Sequence, residues 1–375
     1  GVGEQVGDFP IYVPTVSVTS IGEGGGSIAW VDPFGVLKVG PESAGANPGP
    51  ACYARGGTRP TVTDAFAVLG LLGGADLGYG AVSIDRAAAT SALAPLAEAL
   101  GLSPRDAAEA VLKVSVSGMF LGVSKLLSRY GADPRAFALL AFGGAGPMLA
   151  CLLAREIGVR RIIAPPTPGV LSAYGGLICD IRNDFIRTVL RDLDANALGT
   201  LEPVVAEMEA AALYWLREEQ GFDGTMSLIW TADMRYRGQS YEIETPIERT
   251  DIAAGRVAPI AEAFHASHHR AYDHSDPDAE VQIVNLRLVV AGTVPKPELQ
   301  AGAEKLAEAV PRARAPIFLD GAEHMAALYH REDLWPGHHF SGPAIVAQDD
   351  CTTMVPPGFS VRVDGWRNLL ITMEG

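Results

Sequence analysis

The chain has 375 residues, 48% of them hydrophobic and 19% charged, a formal net charge of −15 and a pI of about 5.0. That length can bury more than one core, and an acidic surface repels phosphate backbones, which excludes nucleic acid as a partner. Cys52, Cys151, Cys179 and Cys351 are far apart with no C-x-x-C pair, so neither a disulfide framework nor a structural zinc site is expected and a reducing cytoplasm fits.

No apolar run reaches the roughly 18 residues that a membrane span needs, and no signal peptide is recognisable. The chain begins with Gly1 rather than Met and enters a strand-like run, Ile11 to Val18, almost at once. A piece of a longer polypeptide, or one half of a split one, is therefore expected. Val16–Ile21 and Ser27–Val31 read as strands around a Gly-rich turn, and Asp32-Pro33-Phe34-Gly35 as a hairpin turn into Val36–Val39. Residues 41–60, rich in Pro and Gly, read as an ordered loop. Ser83 is a candidate N-cap for a helix to about Leu100. Ser103-Pro104 caps and starts a second helix that stops at Gly131, with Val111, Val114, Met119, Val123 and Leu126 on its apolar face.

The most regular unit follows. Ala136–Phe142 is an apolar strand, residues 143–147 a tight glycine turn, Met148–Ile157 a helix closed by Gly158, and Arg161–Ala164 a short strand. Strand, helix, strand predicts a parallel pair. Another helix starts near Gly169 and passes through Ala173-Tyr174-Gly175-Gly176. From about Asp184 the character changes. All eight histidines lie after residue 264. Helices are expected at Leu201–Gln220 and Ile252–Tyr272, and mainly β structure from Val281 onward. A domain boundary near residue 185 divides an α/β domain, 1–184, from a β-rich α+β domain, 185–375.

Five segments are candidates for chemistry. In Ile21–Trp30, the N–H groups of Gly24, Gly25 and Gly26 can face one anion because no Cβ blocks its approach, and Ser27 adds a hydroxyl donor. A plain Gly-rich hairpin explains the same residues. In Leu139–Pro147 a strand runs into Gly143, Gly144 and Gly146 at a helix N-terminus, which suits a phosphate or a nucleoside, or an ordinary βα turn. In the segment 56–65, Thr63 or Asp64 caps a helix, or Asp64 faces a cleft as a base or through magnesium, with Arg59 and Thr63 beside substrate or a partner. In Asp233–Glu242, Arg235 and Gln239 lie on a solvated strand or touch substrate or a partner subunit. His265 and His269 share a helix face, near His268 and His274, without an H-E-x-x-H pattern or an evident third metal ligand.

The two glycine motifs resemble, in order and spacing, the phosphate loop and adenosine motif of actin/hexokinase-like (ribonuclease H-like) ATPases, with Ala173-Tyr174-Gly175-Gly176 as the later small-residue helix. The acidic residue usual two positions before the glycines is replaced by Gly22, and Glu23 is the nearest carboxylate. The longer motifs SIGEGGGSIAWVD, VGPESAGANPGPACYARGGTRPTVTDA, FGGAGPMLACLLAREIG, PPTPGVLSAYGGL, RYRGQSYEI and SGPAIVAQDDCTTMVPPG resemble the hydantoinase A/oxoprolinase family over essentially the whole chain. The resemblance implies an ATP- and Mg2+-using enzyme that phosphorylates an amide or enolate oxygen. It implies a hydantoinase B-type partner subunit in a hetero-oligomer, and a cyclic amide as substrate. Gly24, Gly25, Gly26 and Ser27 would hold phosphates, Gly143, Gly144 and Gly146 would pack on adenosine, and Asp64 and Glu23 would be the catalytic carboxylates. A ketone carboxylase subunit, a non-catalytic scaffold and a sugar kinase are the alternatives. The family carries its other phosphate loop in an N-terminal segment, without which this half is expected to bind ATP weakly or not at all.

Overall fold

The computed structural model describes residues 4–6, 9–11, 18–72 and 83–374. Residues 12–17, which carry most of the strand expected from Ile11 and the start of the one expected from Val16, lie outside the described residues, and Val18–Ile21 is irregular and exposed. Contacts divide the chain into two compact units, residues 1–174 with 298–375, and residues 175–297. The sequence expected one cut near residue 185. By contacts the first of these units is discontinuous, because the last strands of the chain return to its sheet.

In that first unit, β1 (Glu4–Val6) and β2 (Phe9–Ile11) form a hairpin. A second joins β3 (Ser27–Val31) to β4 (Leu37–Ser43). Its turn forms where expected: the Asp32 carboxylate accepts from the N–H groups of Phe34 and Val36, both at 2.9 Å, as an aspartate at the start of a turn does. Helix α1 (Val62–Val68) is capped by Thr61, and α2 (Arg86–Leu100) by Asp85 rather than by the expected Ser83. Helix α3 (Pro104–Arg129) begins at the expected Ser103 cap. It buries a stripe of Ala107, Ala108, Val111, Leu112, Ser115 and Val116, and the later Val123 and Leu126 are only half-buried. By length and composition α3 could also cross a membrane, its 18-residue window having a mean hydropathy of 1.5. That corrects the expectation that no segment qualifies, since scattered small and polar residues hide the apolar average.

The strand–helix–strand unit is β5 (Ala138–Leu140), α4 (Gly146–Ile157) and β6 (Arg161–Ala164), with β5 and β6 parallel. Strand β5 is shorter than expected and lies at the sheet edge. Phe137, Leu140 and Phe142 are consequently half-exposed rather than buried. Helix α5 (Leu171–Ile178) follows.

The second unit holds β7 (Ile181–Asp192), α6 (Ala195–Tyr214), β8 (Met226–Tyr236), β9 (Ile243–Pro246), α7 (Arg249–Ala253), α8 (Val257–Tyr272) and β10 (Val281–Gly292). The strands form an antiparallel sheet in the order β7-β10-β8-β9. Leu198, Leu201 and Val205 of α6 and Phe264 of α8 share its core with Leu286, Leu288 and Val290. The helix expected at Ile252–Tyr272 is two, because Gly255 adopts a φ of +61° between α7 and α8.

The chain then re-enters the first unit as β11 (Ala307–Glu308), β12 (Ala313–Leu319), β13 (Ala322–His330), β14 (His338–Ser341), β15 (Ala344–Ala347), β16 (Thr352–Val355), β17 (Phe359–Val363) and β18 (Leu369–Met373). His338 and His339 open β14. A mixed six-stranded sheet runs β11-β14-β17-β18-β6-β5, and a four-stranded one β12-β13-β15-β16. Strand β18 is antiparallel to β6. Met148 and Leu149 of α4 share a core with Ile345 and Met354, which brings the start of β16 beside α4. The unit is mixed α/β.

Candidate functional site

The first glycine turn is held by its own serine. Ser27 N–H donates to the Gly24 carbonyl at 3.0 Å, while its Oγ accepts from Gly24 N–H at 2.9 Å and donates to the Gly22 carbonyl at 2.8 Å. The hydroxyl hydrogen of Ser27 and the amide of Gly24 are therefore used inside the loop, and neither is the anion donor expected. Gly25 and Gly26 remain, and among the described residues no acceptor meets either N–H. The Gly25 carbonyl is latched to α1, accepting from Thr63 N–H at 2.9 Å and Thr63 Oγ1 at 2.8 Å. Thr63 is thus a brace for the turn as well as a lining residue. A Cβ on Gly25 would stand 2.9 Å from Thr63 Oγ1 and 3.1 Å from the Ala145 Cβ.

The second glycine turn ends on the same place. Gly143 takes a φ of +81° and donates its N–H to the Pro168 carbonyl at 2.7 Å, so it shapes the turn. Gly144 lines the cavity that Gly25 and Gly26 line, and Gly146 lines a neighbouring one. Helix α4 starts at Gly146 with no side-chain cap from Ala145; Pro147 has no N–H and Met148 N–H donates to the Ala145 carbonyl at 3.2 Å, which leaves the Gly146 amide and the positive end of the helix dipole for a ligand. The shared cavity, about 410 Å³, brings Gly25, Gly26, Thr63, Gly144, Ala145 and Met148 together. Sequence reasoning missed four residues that line it as well: Tyr53, Asp350, Cys351 and Thr352. The polar run Gln348–Thr353, set among apolar strands, was the signal available for the last three.

Asp64 is not at this site. It is wholly buried and accepts from the N–H groups of Ala51 (3.3 Å), Cys52 (2.7 Å) and Thr61 (2.9 Å) and from Thr61 Oγ1 (2.8 Å). Three of these bonds end on Oδ2 and one on Oδ1, so the carboxylate is tied to the backbone around it. Thr61 Oγ1 accepts from Asp64 N–H in return, which makes a capping box. Buried and absent from the lining, the carboxylate does not face the glycine cavity as base or as magnesium ligand.

Glu23 faces the neighbouring cavity and lies against α3, where a Cβ on Gly118 would touch its carboxylate. Burial raises its pKa above the usual 4.5, with Ser115 opposing weakly. Between the ordinary and the raised value the folded chain holds a proton that the unfolded chain has lost, so Glu23 subtracts stability as pH rises through that window. Glu23→Gln will therefore raise the melting temperature at about pH 7 and leave it unchanged at about pH 3.5, below both values. An equal shift at both pH values would show that titration of Glu23 is not the cause.

Arg59, more than half exposed, is held by Glu42 at 2.5 and 2.8 Å, and its hydrogen bond to the Glu42 carboxyl keeps that group below the usual range. Arg235 and Gln239 belong to the unit of residues 175–297. Arg235 reaches Gln282 and Glu242, both at 3.3 Å, and Gln239 accepts from Tyr236 N–H at 3.1 Å. Neither lines the glycine cavity. His265 Nδ1 meets Tyr236 Oη at 2.8 Å and His268 Nδ1 meets the His274 carbonyl at 2.6 Å. Among the described residues no three His, Cys, Asp or Glu side chains converge as a metal cage. Burial pushes the Cys351 thiol, which lines the cavity, up to about 12, so it is protonated and no nucleophile at neutral pH.

Residues 2–185 match the family model for hydantoinase/oxoprolinase, and residues 190–373 that for the hydantoinase/oxoprolinase C-terminal domain. The chain is 34% identical over 365 residues to caprolactamase subunit alpha of Pseudomonas jessenii, spanning 95% of this chain and 52% of the relative. The nucleotide-free structure of acetone carboxylase superposes with a TM-score of 0.86 at 26% identity, over 99% of this chain and 55% of that one. The ATP-dependent caprolactamase of Pseudomonas jessenii superposes with a TM-score of 0.70 at 33% identity, over 98% and 54%. The chain thus spans about half the length of the relatives it matches.

Proposed function

The chain belongs to the hydantoinase/oxoprolinase family, and on that premise we propose that it is the part of an ATP-dependent cyclic-amide hydrolase that cradles the nucleotide's phosphates. One observation carries this reading: two glycine turns from distant parts of the chain close on one cavity at an uncapped helix N-terminus. A phosphate chain fits there, since a side chain at Gly25 would fill the space it needs. Gly25, Gly26 and Gly144, with the positive end of the α4 dipole, hold it, in the manner of an actin/hexokinase-like ATPase.

Bound ATP supplies a phosphoryl group for the amide oxygen, with Mg2+ to neutralise its charge. Transfer releases ADP and makes the ring carbon electrophilic; one water adds there, the C–N bond breaks as the ring nitrogen takes up a proton, and a second water hydrolyses the resulting acyl phosphate to carboxylate and phosphate. Enclosing the phosphates in backbone amides and Thr63-braced glycines keeps bulk water from the transfer. The relatives' further half is expected to provide a second phosphate loop. A hydantoinase B-type subunit in a hetero-oligomer is proposed because the matched caprolactamase chain is itself named a subunit. Free cysteines, three of them buried, support a cytoplasmic setting.

A ketone carboxylase subunit is the second reading, favoured by the acetone carboxylase superposition. ADP release by the full-length gene product, co-purified with its partner, separates the two. Stimulation by hydantoin, 5-oxoproline or a lactam establishes the hydrolase. Stimulation only by ketone with bicarbonate moves the assignment to the carboxylase, and no stimulation under any condition leaves a non-catalytic scaffold.

A further inference from the structure

The glycine cavity contains a carboxylate that nothing above has given a task. Asp350 lines it, half-buried, beside Gly25, Gly26 and Gly144. Its orientation is set on both oxygens. Oδ2 accepts from Gly169 N–H at 2.8 Å, and Oδ1 accepts from Gln348 Nε2 at 2.5 Å. Gln348 is itself anchored, its Nε2 also donating to the Pro166 carbonyl at 3.0 Å. Gly169 can come this close only because it lacks a side chain: a Cβ there would stand 2.4 Å from the Asp350 carbonyl oxygen. Each carboxylate oxygen retains a lone pair.

The rest of the cavity is built for an anion, with free glycine amides and the positive end of α4. A triphosphate placed there meets the Asp350 charge as a repulsion, which a divalent cation between the two reverses. Magnesium is bound in this way in nucleotide sites, through one or two carboxylates, phosphate oxygens and retained waters rather than a protein cage.

We infer that Asp350, aimed by Gly169 and Gln348, is the protein ligand of the Mg2+ that accompanies ATP in the glycine cavity. This rests on the reading of the cavity as a nucleotide site. It puts the metal-binding carboxylate on the returning C-terminal segment rather than at Asp64, for which a magnesium contact was one of the alternatives.

The test is ATP binding by the full-length protein, with and without Mg2+, by calorimetry, and Mn2+ binding by electron paramagnetic resonance. Asp350→Asn keeps the size of the side chain and an acceptor for Gly169. Asp349→Asn removes the same charge at an exposed neighbour outside the cavity. Asp350→Asn is expected to weaken MgATP roughly tenfold or more and to bind metal-free ATP several-fold more tightly than the wild type, because the repulsion is gone. The Mn2+ signal in the presence of ATP should fall, and Asp349→Asn should behave as wild type. An unchanged MgATP affinity in Asp350→Asn, with normal Mn2+ binding, overturns the inference while leaving the nucleotide site intact. Loss of both metal-free ATP and MgATP binding also overturns it, since that is the mark of a distorted cavity. A wild type that binds no nucleotide, with Gly25→Asp no different, sinks the nucleotide reading itself and this inference with it.

Discussion

Gly25→Asp will lower the affinity of the full-length protein for MgATP by about a hundredfold or more, corresponding to roughly 2.7 kcal/mol. Two effects add. A Cβ at this position already meets Thr63 Oγ1 at 2.9 Å and the Ala145 Cβ at 3.1 Å, so the glycine turn and the start of α4 must move apart. The carboxylate then stands where phosphate oxygens belong, and like charges about 4 Å apart near a protein surface repel by roughly 4 kcal/mol. Gly25→Ala brings the first effect without the second and should fall between wild type and Gly25→Asp. Calorimetric titration, checked against melting temperature, measures both. If Gly25→Asp binds MgATP within threefold of wild type, the cavity does not hold the phosphates.

Asp64→Ala will destabilise the unit of residues 1–174 and 298–375 by about 4 kcal/mol, since it strands three buried N–H donors, each costing roughly 1–3 kcal/mol unpaired. The N–H groups of Ala51, Cys52 and Thr61 then face a protein interior with no acceptor, and the Thr61 cap of α1 loses half of its reciprocal pair. Urea unfolding should show a lower midpoint. The fraction that remains folded should retain its nucleotide affinity, because Asp64 does not line the cavity. A variant of normal stability that had lost turnover would return Asp64 to the chemistry.

The difference between those two residues marks where sequence reasoning reaches and where it stops. Local chemistry was legible. Ser103-Pro104 starts α3, Gly158 ends α4, and Ser27–Val31 is a strand of the expected extent, because caps, glycines with positive φ and alternation act over a few residues. The parallel pairing of β5 with β6 followed from the strand–helix–strand order. What a residue does once the chain folds back was less legible. Asp64 and Asp350 are both aspartates near small residues. One is consumed by backbone amides contributed from residues 51 and 52, and the other is brought to the cavity by the packing of α4 against the four-stranded sheet. Ser27 looked like a ligand donor and is spent on Gly22, a bond that depends on the shape of the turn. The return of the last strands was not legible for the same reason, since the pairing of Leu369 with Ala164 has no local signature.

That pairing also sets an order of events during synthesis. Strand β6 has β5 on one side, and it waits for β18 on the other. At ribosomal speeds of about 5–20 residues per second, the interval before Leu369 is added is on the order of ten seconds or more. Throughout it, one edge of β6 is a row of unpaired amides and carbonyls, a template for wrong partners. Asp350 and Thr352 are added only shortly before β18, so the glycine cavity cannot be complete on the nascent chain. Until those last strands are added, the nascent chain therefore carries an open sheet edge and an incomplete cavity.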